Sequence, residues 1–326
     1  MGVAHTVEQG NVLSASKIEW TEITWNPTTG CDRISPGCDN CYAMTMAKRL
    51  KAMGAPKYQN DGDPRTSGPG LGVAMHPESV LEPILKWPRT SRIAVLDSMS
   101  DVFHARVSAE FLGRIFATIA LTPQHTYRVL TKRPNRMRDL LTVRRVQGAM
   151  QDALPDIQSH GPSLPDWAIR LLLARTAQCP WPLPNVWLGT AIESDEYCRR
   201  ADALRQTPAA VRLLSLEPLL GPLPSLDLTG IDWVIVGGES GHRARPMSPE
   251  WVRVIRDRCH DNGIAFHFRQ WGEWAPAKGH RCSDFEQFGT DPANTVRKVG
   301  KKAAGRLLDG RTWDELPSPN GGRVSA

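Results

Sequence analysis

Short apolar runs recur along the chain, and each closes on a polar or glycine-rich cluster before a stretch of helical spacing begins. Ile93–Leu96 runs into Asp97, Ser98, Met99, Ser100 and Asp101, and Tyr127–Leu130 into Thr131, Lys132, Arg133 and Pro134. Val186–Leu188 is followed by Gly189, Thr190, Ala191, Ile192, Glu193 and Ser194, and Arg212–Leu216 by Glu217 and Pro218. Trp233–Val236 leads into Gly237, Gly238, Glu239, Ser240 and Gly241, and Ala265–Phe268 into Arg269, Gln270, Trp271, Gly272 and Glu273. Near-continuous apolar strands suit a sheet covered on both faces, and helices between them make neighbouring strands parallel. Ala109–Leu121, Asn135–Leu141, Ser194–Leu204 and Pro249–Asn262 have the length and period of those helices. The last opens with Ser248 as N-cap and Pro249 at its first position.

With Glu22–Trp25 as the first strand and Ala43–Ala52 as the first helix, the pattern counts six strand–helix units, and the run at 266 is a candidate seventh strand. It predicts an α/β fold, a partial (βα)6-type TIM-like barrel over residues 17–284. A polar segment, 1–16, precedes it, an insertion at 144–184 separates the third and fourth strands, and a C-terminal extension, 285–326, follows. The insertion carries an apolar helix, Asp166–Arg175, and a return through Pro180, Pro182 and Pro184; such insertions serve as lids, partner surfaces or decoration. Asp61–Gly72, rich in Gly, Pro and Asp, reads as a mobile loop. In barrels of this kind the working residues sit at the C-terminal ends of the strands.

The loop after the first strand carries Cys31, Cys38 and Cys41, spaced C-x6-C-x2-C, with Tyr42 directly after the last. Three thiolates on one short loop suit three corners of a [4Fe–4S] cluster with the fourth iron open. Zinc is the alternative, and it needs a distant fourth ligand, for which His76 and His104 are the nearest downstream histidines. Cys179, Cys198, Cys259 and Cys282 are scattered singly. Three closely spaced thiols leave one unpaired in any disulfide scheme, and Met1–Ser16 lacks the apolar core of a secretory signal, so a reduced, cytoplasmic setting is expected.

Charge changes the picture only once it is located. Arg128, Lys132, Arg133, Arg136, Arg138, Arg144 and Arg145 face a single acid, Asp139, within one segment, a local excess equal to the net +6 of the whole chain. Arg297, Lys298, Lys301, Lys302 and Arg306 form a second basic stretch. Such patches track phosphates or form solvated helix faces. The tryptophans, most of them beside strand-like runs, read as core or rim residues. No apolar run approaches the ~20 residues that span a bilayer, so no membrane partner is expected.

The cysteine loop joined to this strand–helix repeat resembles the radical S-adenosylmethionine (SAM) superfamily, whose usual spacing is C-x3-C-x2-C. More closely, the segments EWTEITWNPTTGCDRISPGCDNCYA, VLTKRP, VWLGTAIES, LSLEPLLGPL, WVIVGGESGHRARPM, RQWGEW and GKKAAGRLLDGRTWDELP are similar to an uncharacterised, phage-associated three-cysteine-motif family, a phage protein family or domain of unknown function. The resemblance runs from about Lys17 to Pro317. It implies that Cys31, Cys38 and Cys41 ligate a [4Fe–4S] cluster, that SAM chelates the open iron, and that an electron donor supports release of a 5′-deoxyadenosyl radical. By position, Ser98, Ser100 and Asp101 would meet the methionyl end of SAM, and Thr190 and Glu193 its ribose. Lys132, Arg133, Glu217, Glu239, Arg243 and Arg245 are the candidate substrate contacts, each with a rim salt bridge as the competing role. The basic segments and the phage association point to a nucleic-acid or nucleotide substrate. A non-catalytic iron–sulfur or zinc nucleic-acid-binding protein and a metal-dependent barrel hydrolase are the alternatives, the latter without a clear His-x-His ligand set.

Overall fold

Each of the apolar runs, the candidate seventh included, forms a parallel strand. The computed structural model describes residues 21–159, 165, 167, 181–277, 285–317 and 323–325. Its main sheet runs in chain order through β1 (Ile23–Trp25), β2 (Ile93–Leu96), β3 (Thr126–Thr131), β4 (Val186–Ala191), β5 (Val211–Leu216), β6 (Trp233–Gly237) and β7 (Ala265–Gln270). Every neighbouring pair is parallel, with Trp25 opposite Leu96, Leu96 opposite Val129, Thr131 opposite Thr190, Ala191 opposite Ser215, Leu216 opposite Val236 and Val236 opposite Phe268. The sheet curls into a half-barrel whose edges are β1 and β7, a partial TIM-like barrel.

Strand side chains alternate between two cores. On the convex face Leu96, Val129, Leu188, Leu214, Val234 and Phe266 join the large core shared with the helices. On the concave face Val95, Leu213, Trp233, Ile235 and Ala265 pack with Leu130 and Trp187. The principal helices are α1 (Tyr42–Ala52), α2 (Ala109–Leu121), α3 (Pro134–Leu140), α4 (Val143–Ser159), α5 (Arg200–Arg205) and α6 (Pro249–Asp261). Caps set their starts: Ser108 Oγ accepts from Phe111 N at 3.2 Å, and Ser248 Oγ from Glu250 N at 3.3 Å ahead of Pro249.

Helix α4, which opens the segment expected to be an insertion, is cladding. Val146, Met150, Ala153 and Ile157 are buried in the core that α2 fills, and Arg114 of α2 pairs with Asp156. Gly113 permits the approach, since a Cβ there would lie 2.2 Å from the Ala149 carbonyl oxygen. Residues 1–20, the helix expected at Asp166–Arg175 apart from Trp167, and Pro180 lie outside the described residues.

The C-terminal segment contains more order than its sequence suggests. β8 (Trp274–Pro276), β9 (Phe285–Gln287) and β10 (Thr295–Lys298) form an antiparallel sheet, and β11 (Glu315–Pro317) pairs with β12 (Arg323–Ser325). The chain entering β11 covers the free edge of β7, where Phe268 N donates to Trp313 O at 2.9 Å and Phe266 N to Glu315 Oε2 at 3.0 Å. Trp233 Nε1 reaches Glu315 O at 2.9 Å, and Leu316 packs onto the concave core. Among the described residues no helix is long and apolar enough to cross a membrane.

Candidate metal and cofactor site

The cysteine loop begins where β1 ends, and backbone constraints set its path. Gly30 sits at φ +84, and a Cβ on it would lie 2.2 Å from the Gly72 carbonyl oxygen, so only glycine fits. Pro36–Cys38 forms a short 3-10 turn, with Cys38 N on Ser35 O at 2.9 Å and Cys41 N on Cys38 O at 3.2 Å. Cys41 then caps α1. The three thiols are half-buried and form no disulfide.

The segment Asp61–Gly72, expected to be a mobile loop, is a loop of turns hydrogen-bonded to the outer side of the cysteine loop. Arg33 N donates to Thr66 O at 2.9 Å, Thr66 Oγ1 to Asp32 Oδ1 at 2.7 Å, and Gly70 N to Asp61 Oδ1 at 2.8 Å. Its Gly70 and Gly72 serve close backbone approach, not looseness.

Strand ends hold the loop from the inner side. After β3, Lys132 Nζ lies 3.5 Å from Ser35 Oγ and from Glu193 Oε2, while Arg133 reaches the Cys31 sulfur at 3.4 Å and Asp32 O at 3.0 Å. After β4, Glu193 lies under Gly37, whose Cβ would meet the Glu193 Cβ at 3.2 Å. After β6, Asn40 Nδ2 donates to Glu239 Oε2 and to Arg243 O, both at 2.9 Å, and Arg245 Nη2 donates to Pro36 O at 2.9 Å. Tyr42 hydroxyl donates to Ser98 O after β2. The loop therefore lies across the mouth formed by the C-terminal strand ends.

Burial pushes the Cys31 thiol up to about 12, with Asp101 and Cys38 adding to the rise and Arg133 opposing it. Burial raises Cys41 as well, Cys38 adds to it, and the backbone N–H groups of Ala43 and Met44 together with Lys132 oppose. Both thiols feel Cys38, and Arg133 is in contact with Cys31. Coordination to a metal would remove the protons outright. Three soft donors on one loop, with Arg133 on the Cys31 sulfur, suit an iron–sulfur cluster.

The two histidines weighed as a fourth zinc ligand are engaged elsewhere. His76 Nε2 bonds Thr29 Oγ1 at 2.8 Å; His104 Nε2 bonds Asp32 Oδ2 at 3.0 Å, and its Nδ1 accepts from Arg106 N at 3.2 Å. Among the described residues no three His, Cys, Asp or Glu side chains, the loop cysteines included, converge as ligands of a single ion. Cys198 and Cys259 are buried away from the loop's hydrogen-bond network, and Cys179 and Cys282 lie outside the described residues.

The remaining sequence candidates divide into committed and available groups. Asp101 is buried and accepts from Thr131 Oγ1 at 2.7 Å, Phe103 N at 3.0 Å, Lys132 N at 3.2 Å and Arg133 Nη1 at 2.8 Å. Thr190, also buried, donates to Thr131 O at 2.9 Å. Glu217 pairs with Arg269 at 2.8 Å, and Glu239 with Arg245 at 2.6 Å. Ser98 donates through N and Oγ to Asn26 Oδ1 at 3.0 and 3.2 Å, and Ser100 Oγ to Thr28 O at 2.9 Å; both remain partly exposed. Arg243 is exposed. Burial drives the Glu193 carboxyl upward, yet Lys132, Ser35 and Arg200 outweigh it and hold the group below its usual range. The Gly37 N–H also helps to lower it, and Glu193 Oε1 is buried with no hydrogen-bond partner among the described residues.

The basic segment is not an open phosphate track. Arg128 lies between the Trp187 and Trp233 rings, Arg136 donates to Val107 O, Arg138 bonds Asp139 and Gln206, and Arg145 bonds Asp139 O. A linear count of charge does not register these partners. Residues missed from sequence include Asn40, Asn26 and Asp97. Asp97 holds φ +58, a left-handed conformation that Asp tolerates better than most residues, and it accepts from Thr28 N at 3.1 Å and from the Thr28 hydroxyl. Its place directly after β2 was the available signal.

The fold and site define a parallel half-barrel with three thiols across its mouth. The chain belongs to the family described as "Protein of unknown function (DUF5131)", which matches residues 15–317. No curated protein sequence matches it. Similar solved structures include spore photoproduct lyase complexed with dinucleoside spore photoproduct, at 12% identity and TM-score 0.40, covering 91% of this chain and 74% of that one. A double mutant of that lyase with bound AdoMet and dinucleoside spore photoproduct aligns at 12% identity and TM-score 0.42 over the same shares.

Proposed function

We propose that the chain is an iron–sulfur enzyme of the radical SAM kind, in which Cys31, Cys38 and Cys41 ligate three irons of a [4Fe–4S] cluster and SAM takes the fourth. The observation that carries this reading is the cysteine loop lying across the strand ends, with Arg133 on the Cys31 sulfur and Lys132 on Ser35 of the same loop. When bound, cluster and SAM supply a 5′-deoxyadenosyl radical after one-electron reduction by a donor, and the protein supplies orientation and exclusion of water.

Ser98 and Ser100 present partly exposed hydroxyls at the end of β2 for the methionyl end of SAM. Asp101 and Thr190 act behind them, fixing the ends of β2, β3 and β4. Glu193 Oε1, without a hydrogen-bond partner, is the acceptor for a ribose hydroxyl, and Lys132 at 3.5 Å and Arg200 at 3.0 Å keep the carboxylate ionised. The substrate is a nucleic-acid component, drawn by a basic rim. Lys298 Nζ bonds His242 O at 2.6 Å, which ties the C-terminal basic stretch to the loop of Arg243, and Lys301 and Lys302 are exposed.

Anaerobic reconstitution tests the cofactor reading, because iron and sulfide should load the wild type and SAM should perturb the spectrum of the reduced cluster. Zinc binding without iron sinks it. Binding to DNA or RNA oligonucleotides should weaken steeply with salt, and replacing Arg243, Lys301 and Lys302 by Gln should flatten that slope. Binding indifferent to salt contradicts the nucleic-acid assignment.

A further inference from the structure

We propose that Arg133 sets the reduction potential of the cluster by donating a fixed, charged hydrogen bond to the Cys31 sulfur; this rests on the cofactor reading above and adds what makes the centre reducible. Three contacts hold the guanidinium. Nη1 lies 2.8 Å from Asp101 Oδ2 and 3.4 Å from Cys31 Sγ, and Nη2 lies 3.0 Å from Asp32 O. Asp101 cannot yield, since Thr131 Oγ1, Phe103 N and Lys132 N occupy it as well. The side chain is only 14% exposed, so solvent and salt screen its charge weakly.

A planar fork that spans a carboxylate, a carbonyl and a sulfur is a geometry for which lysine has no equivalent. Reduction adds negative charge to a cluster and its thiolates, and hydrogen bonds to the sulfurs are among the factors that set its potential. The other charges nearby leave this task to Arg133. Asp32 is paired with His104 at 3.0 Å and Arg106 at 3.4 Å, and Lys132 is directed to Ser35 and Glu193, not to a sulfur.

The test compares reconstituted wild type, Arg133→Gln and Arg133→Lys by iron and sulfide content and by a redox titration followed by electron paramagnetic resonance, without substrate. Arg133→Gln should keep its iron yet be about tenfold harder to reduce, about 59 mV lower for one electron. Arg133→Lys, which retains the charge but not the fork, should fall between. An unchanged potential at full iron content overturns the inference and leaves the cluster reading standing. If both variants lose iron that the wild type holds, Arg133 is a structural clamp and the redox assignment is wrong. A wild type that takes up no iron overturns the cofactor reading itself.

Discussion

The two ends of the half-barrel are built from the same strands and treat charge in opposite ways. Near the start of β3, Arg128 has its guanidinium 4.7 Å from the Trp187 ring and 4.6 Å from the Trp233 ring, and burial lowers its pKa to about 10. Just beyond the other end of β3, burial of the half-buried Arg133 lowers its pKa, yet Asp101 and Cys31 outweigh this and raise it. The closed end sets this cation against two aromatic faces, with Glu22 countering its burial. The mouth matches carboxylates to cations, Asp101 with Arg133, Glu193 with Lys132 and Arg200, Glu217 with Arg269, and Glu239 with Arg245. With those charges matched to one another, the thiols remain as the mouth's soft metal-ligating donors, and chemistry is assigned there and packing to the closed end.

The comparison breaks first at Cys38. Replacing it with Ala should abolish cluster loading while the fold survives, read by iron content and circular dichroism; full iron loading contradicts the ligand assignment. At the closed end Trp233→Ala should leave iron per folded chain unchanged but cost about 3–5 kcal/mol in urea unfolding, because it empties a fully buried ring site. Gly30→Ala forces a side chain onto the Gly72 carbonyl at positive φ, and should cost on the order of 1–3 kcal/mol while lowering iron affinity. A loss of stability without a loss of iron affinity would separate the Gly30 turn from the site.

The comparison also carries a pH dependence at the mouth. Burial raises the Asp97 carboxyl from 3.8 to about 7, against hydrogen bonds from Thr28 and Ser100 that lower it. The folded chain then holds a proton that the unfolded chain releases, so this contribution is full below about pH 4 and is lost as pH rises through about 7. Asp97→Asn, which keeps a side chain suited to positive φ, should flatten the stability profile across that window. Parallel profiles for variant and wild type would rule the contribution out.

How much of this was legible in the sequence follows from how local each signal is. The strands were readable because each buries both faces, as Trp233–Gly237 does along its whole length. Helices with caps were readable as well, Ala109–Leu121 to the residue. The three-residue strands of the C-terminal segment are too short to show alternation. Glycine-rich Asp61–Gly72 looked loose because composition does not distinguish a flexible glycine from one that permits contact. Arg128 was counted as surface charge, although the period-two pattern puts it beside Leu130 on the concave face. The cysteine loop was visible as a ligand set, but its clamps were not, since Asn40 meets Glu239 across 199 residues.

The most direct test of the central claim is electron paramagnetic resonance of the reduced, reconstituted wild type with and without SAM, alongside iron and sulfide analysis. The account predicts about four irons per chain and a cluster signal that SAM alters, as an open iron at the mouth requires. Zinc in place of iron, or a full cluster whose signal is indifferent to SAM, would contradict it.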